Sequence, residues 1–482
     1  MSLKSLLKPS VISKLFEPVA ASNVLKTSQI KSYVHTTPKE QGKVVEKFVD
    51  EITSVTKMSE ADYKVLKQVK TPPKEVEFRG SNFNFPCLNR RFLDGPEPTY
   101  HKIEGGYKTY HHKQPFHFYY NDGVLPEIEV AYETWGNLNS NATNAILLYT
   151  GLSASSHAAS QEDNMKPGWW EKFIGPGRPL DTNKFYVICA NQLGGCYGTT
   201  GPSSKNPLNG EYYGTHFPMV SIKDMVESQM HLLTHLGIDK VYAAVGSSLG
   251  GMCSIAMSSL YPDKVARVIS ISGCAKTHPT SIALRYLQRR CIMEDPDWKV
   301  GHYYEGEYPL KGMKLAREIA TMTYRSGLEW EKRFGRLRLP GEEPSLCHNF
   351  EIEQYIEYQG LQFATKYDPN SLLYISKAMD LFDINEFYED EESSGLSRIK
   401  CPTLVMGVTT DLLFPVKQQR DLAQGLKRSG NSSVTYYELN SIYGHDTFLL
   451  DLNSVGTAVK GFLETQMSVN GNLSKSDDSI IL

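Results

Sequence analysis

From Ile128 onward, short apolar runs alternate with longer stretches whose apolar residues fall at helical spacing. Ile128–Thr134 alternates apolar and polar residues, the pattern of a half-exposed strand. Ala145–Tyr149 and Phe185–Ala190 are continuous apolar runs, as expected of strands covered on both faces. A helix is predicted over Ile222–Leu236, and an apolar strand over Val241–Val245 runs straight into a second helix. Val265–Ser272, Pro402–Val408 and Val434–Leu439 read as further strands, with helices near 415–427 and 451–465. Strands alternating with helices predict an α/β fold in which helix layers cover a mostly parallel sheet.

The stretch from 273 to 401 contains no convincing strand and is far too long for a plain connection. Helical spacing at 280–293, 311–325, 350–360 and 370–387 predicts a helical insertion over 277–395. It would lie over the active edge of a core made of 80–276 and 396–467, excluding water there. Before the core, residues 1–38 are basic, serine-rich and nearly free of acids, with Leu3, Leu6, Leu7, Val11, Leu15 and Phe16 available for one helix face. This describes a mitochondrial presequence, although its positive charges are all lysine; a disordered cytosolic extension is the alternative. Residues 39–79 read as a linker with a thin apolar stripe, and 468–482 as a disordered polar tail.

Composition narrows the field. The net charge of −3 gives no basic footprint for nucleic acid. No apolar run approaches the ~18–20 residues of a membrane span. The eight cysteines are scattered, without Cys-x-x-Cys, and are expected to be reduced and buried. No metal, nucleotide or flavin site is evident, and neither Gly-rich place, 194–201 or 246–251, contains a phosphate-loop lysine.

Gly246–Gly250 reads Gly-Ser-Ser-Leu-Gly at the predicted strand-to-helix junction. A corner this tight forces its central residue, Ser248, into a strained conformation and needs flanking glycines. It marks Ser248 as a nucleophile, with the Leu249 amide at a helix N-terminus as an oxyanion donor. A serine needs a base, and the base an orienting acid. Asp411 follows the strand ending at Val408, and His445 follows the strand ending at Leu439, which supplies the order Ser, Asp, His. Asp411 also suits a helix cap, and Ser247, Asp446 and Asp451 are the nearest competitors for the three roles. The second oxyanion donor is expected from the loop after Tyr149: the Leu152 amide, or Ser153 in its place. His157 reads as a wall residue of that loop.

Beyond these residues, the chain from about 126 to 465 resembles the homoserine/serine O-acyltransferase family of the α/β-hydrolase fold. The resemblance rests on Gly198–Ser204, Val245–Met252, Asp295–Trp298, Leu315–Arg317, Thr323–Ser326, Arg333–Arg336, Asp411–Pro415 and Gly444–Asp446. Thr150–Ala154, His157–Ser160, Gly168–Glu171, Ile271–Gly273, Ser281–Ala283, Arg285, Leu287–Arg289, Gly301–Tyr303 and Ser326–Trp330 look closest to its serine O-succinyltransferase branch. The resemblance implies a ping-pong reaction: an acyl group passes from acyl-CoA to Ser248 and then to the hydroxyl of a small amino acid, giving O-acyl-L-serine for cysteine synthesis. It implies that Arg317 holds the substrate carboxylate, that Asp446 meets its ammonium and that Tyr324 lines the same pocket. Acyl-CoA is then a co-substrate, and no cofactor is needed. A succinyl group ends in a carboxylate, which Arg285 would favour over acetyl; a solvated helix arginine is the alternative. Two copies are expected to pair through the helical insertion. Homoserine O-acetyltransferase, a water-using esterase or thioesterase, and an inactive binding scaffold are the competing readings.

Overall fold

The computed structural model describes residues 105–341, 344, 346–388 and 395–465. The presequence expected over 1–38, the linker over 39–79, the first residues of the core and the tail from 468 lie outside this range.

Eight strands form one sheet: β1 (Lys108–His112), β2 (Ile128–Trp135), β3 (Ala145–Tyr149), β4 (Tyr186–Ala190), β5 (Ala243–Ser247), β6 (Val268–Ile271), β7 (Thr403–Val408) and β8 (Val434–Leu439). Their order is β1-β2-β4-β3-β5-β6-β7-β8. From β4 to β8 all neighbours run parallel, while β2 is antiparallel to both β1 and β4. This is the mostly parallel sheet that the apolar runs predict.

Alternate residues of the central strands enter two separate cores. Leu147, Tyr149 and Ala244 pack on one face with Met225 and Ile255, from the helices α1 (Ile222–His235) and α2 (Leu249–Leu260). Ile146, Leu148 and Val245 pack on the other with Trp170, Phe173 and Phe462. Burial of both faces is why these runs read as uninterrupted apolar sequence. β2 departs from its expected half-exposure and is almost wholly buried. Its polar Glu133 is 2% exposed because Ser156, His157 and Gln161 bond to it. Polar sequence here marks a buried network rather than a solvent face.

Between β6 and β7 the chain forms α3 (Pro279–Met293), α4 (Leu310–Tyr324), α5 (Gly327–Arg333), α6 (Glu351–Ala364) and α7 (Pro369–Asp380). The last segment, expected to stay helical to 387, breaks after Asp380 and resumes as one 3-10 turn at Ile384–Phe387. α4 packs between α3 and α6. Close approach is possible because Gly312 lies against the Cys291 carbonyl and Gly360 against the Lys314 and Glu318 stems. A third core, including Cys196, Ile292, Met313, Ala316, Tyr367 and Leu373, joins these helices to the loop at Leu152. After β7 comes α8 (Lys417–Arg428). The helix expected over 451–465 is divided into α9 (Thr447–Leu450), a wide turn at Leu452–Gly456, and α10 (Thr457–Glu464). Of the described cysteines, Cys189, Cys196, Cys253 and Cys274 are buried, whereas Cys291, Cys347 and Cys401 are only partly covered.

Candidate active site

The chain turns from β5 into α2 at Ser248, whose φ of 58° and ψ of −123° are costly for any side chain but glycine. The neighbours explain how this is tolerated. A Cβ on Gly246 would lie 2.1 Å from the Gly250 carbonyl oxygen, and one on Gly250 would lie 2.3 Å from that of Tyr149. No other residue fits either position. The Ser248 amide donates to Ile271 O at 2.9 Å, pinning the corner to β6. Its hydroxyl makes no cap to its own helix, so the oxygen remains available. Leu249 is the first residue of α2, where amides have no acceptor within the helix.

Asp411 and His445 sit beyond the carboxyl ends of β7 and β8, the same sheet edge as Ser248. His445 Nδ1 lies 2.7 Å from Asp411 Oδ2. Asp411 Oδ1 accepts the amides of Leu413 and Phe414 at 2.9 and 2.8 Å, so the carboxylate both caps its loop and orients the imidazole. Thr410 Oγ1 donates to Ser441 O and accepts from the Gly444 amide, tying the two loops together. Phe414 stacks on the His445 ring at 5.2 Å, and Phe448 meets it edge-on. Burial pushes the imidazole pKa down, but the Asp411 carboxylate and its hydrogen bond outweigh this and hold it above the usual value. His445 Nε2 is buried with no hydrogen-bond partner, Ser248 Oγ included. Such contacts often tighten only when substrate binds.

The helical insertion braces this edge. α4 ends at Tyr324, Arg325 turns extended, and Ser326 caps α5. Gly444, at φ 61°, packs against this turn; a Cβ there would be 3.0 Å from the Tyr324 carbonyl oxygen. Ser326 Oγ also bonds Ile442 O.

Arg317, Tyr324 and Asp446 come together beside His445. The Arg317 guanidinium carbon is 4.3 Å from the Phe363 ring centre and 4.8 Å from that of Tyr324. Its Nε is buried without a hydrogen-bond partner. Tyr324 OH bonds Thr321 Oγ1 at 3.0 Å. Burial raises the Asp446 pKa, opposed by Arg325, His445 and Arg317. Sequence reasoning did not single out Arg325, whose Nε lies 3.2 Å from Asp446 Oδ2 and whose Nη1 bonds Glu329 at 3.0 Å. Its only signal was its place between Tyr324 and Ser326.

Arg285 is not a solvated helix arginine. It is 2% exposed, and its Nε donates to Asp380 Oδ1 at 2.6 Å. Phe414 lies 5.9 Å from its guanidinium carbon, while Nη1 and Nη2 are buried without partners. Leu152 packs on two cores and accepts from Tyr367 OH at 2.8 Å through its carbonyl. His157 is a wall residue: Nδ1 meets Glu133 at 2.9 Å, and Nε2 meets Lys166 O at 2.7 Å. No cluster of three or more metal-ligating side chains occurs among the described residues, and no described helix is long and apolar enough to cross a membrane.

Residues 144–451 match the family model of the alpha/beta hydrolase fold. A serine O-succinyltransferase of Emericella nidulans is 47% identical over 455 residues, covering 79% of this chain and 87% of that protein. Among solved structures, homoserine O-acetyltransferase from Bacillus anthracis superposes with a TM-score of 0.69 at 30% identity, covering 75% of this chain and 98% of that one. Esterase E22 superposes with a TM-score of 0.68 at 30% identity, covering 74% and 100%.

Proposed function

This chain belongs to the homoserine/serine O-acyltransferase family of α/β-hydrolase-fold enzymes, and on that premise we propose that it moves an acyl group, succinyl by preference, from acyl-CoA to the hydroxyl of L-serine. The observation that carries the chemistry is His445, fixed by Asp411 through Nδ1 and open at Nε2, on the sheet edge where Ser248 makes its strained corner.

In the first half-reaction His445 Nε2 takes the Ser248 proton as Oγ attacks the thioester carbonyl. The oxyanion is held by the amides of Leu249 and Leu152, CoA leaves as the thiol with the proton from His445, and an acyl-serine ester remains. In the second, His445 takes the proton of the substrate hydroxyl, which attacks that ester. Ser248 regains its proton, and O-acyl-L-serine, a substrate for cysteine synthesis, departs. Arg317 pairs with the amino acid's carboxylate and Asp446 with its ammonium. Asp446 already faces Arg325, so the ammonium joins a charge network rather than meeting a lone carboxylate. Acyl-CoA is a co-substrate, and no resident cofactor is required.

Arg285 supports succinyl over acetyl. A guanidinium buried with both end nitrogens unpartnered favours an acyl group that supplies an acceptor. The names of the relatives at 44–47% identity support the same reading. Mitochondrial import through residues 1–38 and pairing of two copies through α3, α4 and α6, which carry exposed Tyr286, Leu315, Met322 and Tyr358, complete the proposal.

Thiol release with L-serine and L-homoserine against succinyl- and acetyl-CoA tests it. L-Serine with succinyl-CoA is expected to give the highest kcat/KM; highest turnover with homoserine and acetyl-CoA would overturn the proposal. The likeness to esterase E22 gives water as a second acceptor its own arm. Thiol release at full rate without an amino acid would make the protein a thioesterase.

A further inference from the structure

The end of α7 and one face of α3 enclose a charge cluster that the catalytic steps do not use. Asp380, the last residue of α7, has a side chain 2% exposed and faces two arginines. Its Oδ1 accepts from Arg285 Nε at 2.6 Å, and its Oδ2 lies 2.6 Å from Arg289 Nη2. Arg285 and Arg289 are four residues apart on α3, so they project from one helix face. One carboxylate between two guanidiniums leaves a buried net charge of plus one.

The two arginines differ in what remains open. Arg289 is further held by Ser376, through Nη1 at 3.3 Å. Arg285 is anchored only through Nε, and its Nη1 and Nη2 have no acceptor. Because the guanidinium is planar, fixing Nε to Asp380 also fixes the direction of the fork at the other end. The Phe414 ring, which stacks on His445, lies 5.9 Å from the guanidinium carbon.

We propose that Asp380 is a positioning residue for acyl selectivity: it holds Arg285 so that Nη1 and Nη2 present a fork to one carboxylate at the tip of the acyl group, and Arg289 keeps the cluster positive. The proposal rests on the succinyl reading above. Asp380 with Arg285 alone would be a neutral pair with little pull on an anionic tip. With Arg289 added, the carboxylate of the acyl group completes the charge balance and satisfies the buried donors. An acetyl group leaves both ends unsatisfied.

The test is the ratio of kcat/KM for succinyl-CoA to that for acetyl-CoA, with L-serine, in the full-length chain. Asp380→Asn is expected to lower the ratio about 10- to 100-fold, the range of one charge-assisted hydrogen bond. Arg289→Gln is expected to lower it less, in the same direction, by neutralising the cluster. Asp380→Asn combined with Arg285→Ala is expected to fall no further than Arg285→Ala alone. A purely structural role would depress both donors together and leave the ratio in place. An unchanged ratio in both single variants overturns the assignment, and Arg289→Gln alone decides it should Asp380→Asn not fold. A wild-type protein with no preference for succinyl overturns the succinyl reading and this inference together, and that failure is seen before any substitution is made.

Discussion

His157 and His445 are both 4% exposed, and each turns Nδ1 toward a buried carboxylate, Glu133 at 2.9 Å and Asp411 at 2.7 Å. They part at the second nitrogen. His157 Nε2 is closed by the Lys166 carbonyl, and Glu133 also binds Ser156 and Gln161. His445 Nε2 is buried and open, between two aromatic rings. A buried imidazole with both nitrogens satisfied is a strut. One held at Nδ1 and empty at Nε2 is poised to exchange a proton, and the energetic cost of the empty site is accepted because the fold holds it in place. The pairing with a carboxylate is common to both histidines, so what sets His445 apart is its open Nε2, the atom that the proposed mechanism uses.

The sharpest way to break the comparison is to remove each ring. His445→Ala is expected to lower kcat by about 10⁴-fold or more, whereas His157→Ala is expected to lower the melting temperature and leave most of the turnover. Equal losses of turnover in the two variants would show that the open nitrogen carries no meaning.

Changing only the carboxylates comes next. Asp411→Asn keeps the shape but allows the wrong tautomer, and a fall in kcat of about 10⁴-fold is expected. Glu133→Gln weakens a buried network and is expected to cost about 1–3 kcal/mol of folding stability, read by denaturant unfolding, with a much smaller kinetic effect.

Acidity sharpens the contrast without mutation. His445 must be neutral to accept a proton, and Asp411 keeps its pKa above the ordinary 6.5. The acid limb of kcat/KM against pH is expected above pH 6.5 rather than below it. The same shift has a stability counterpart: a histidine whose pKa is raised by folding adds stability below pH 6.5, and this is lost as pH rises through the folded value. An acid limb well below 6.5 would contradict the pairing.

The smallest expected effect is at Gly444. Gly444→Ala strains a residue at φ 61° and presses on the α4–α5 turn. A stability loss of about 1–2 kcal/mol is expected, with a modest fall in kcat as His445 shifts. No change in either would mean that the turn does not brace the loop.

What was legible in the sequence followed from local rules. The strand runs show because burial on two faces favours apolar residues unless a polar one finds partners, and the Ser248 corner shows because only glycine fits at 246 and 250. Asp411 and His445 stand after strands whose order fixes which edge they reach. The mistaken exposure of β2 has the same origin in reverse, since Glu133 is polar and its partners lie in a loop that periodicity does not see.

The charged residues clustered around the proposed site obey no local rule. Arg285 and Arg289 stand four residues apart on one helix, but Asp380 lies 95 residues from Arg285 with nothing nearby to mark it. Arg325 took its meaning only when Asp446 arrived from the far end of the chain. Sequence by itself determined the sheet and the strained corner, and it singled out Ser248, Asp411 and His445 for the proposed chemistry, because these depend on neighbours along the chain. Which nitrogen stays open, which arginine is clamped and which acid is shared were decided by the tertiary structure alone, because hydrogen bonds and charges act across space and leave no period in the sequence.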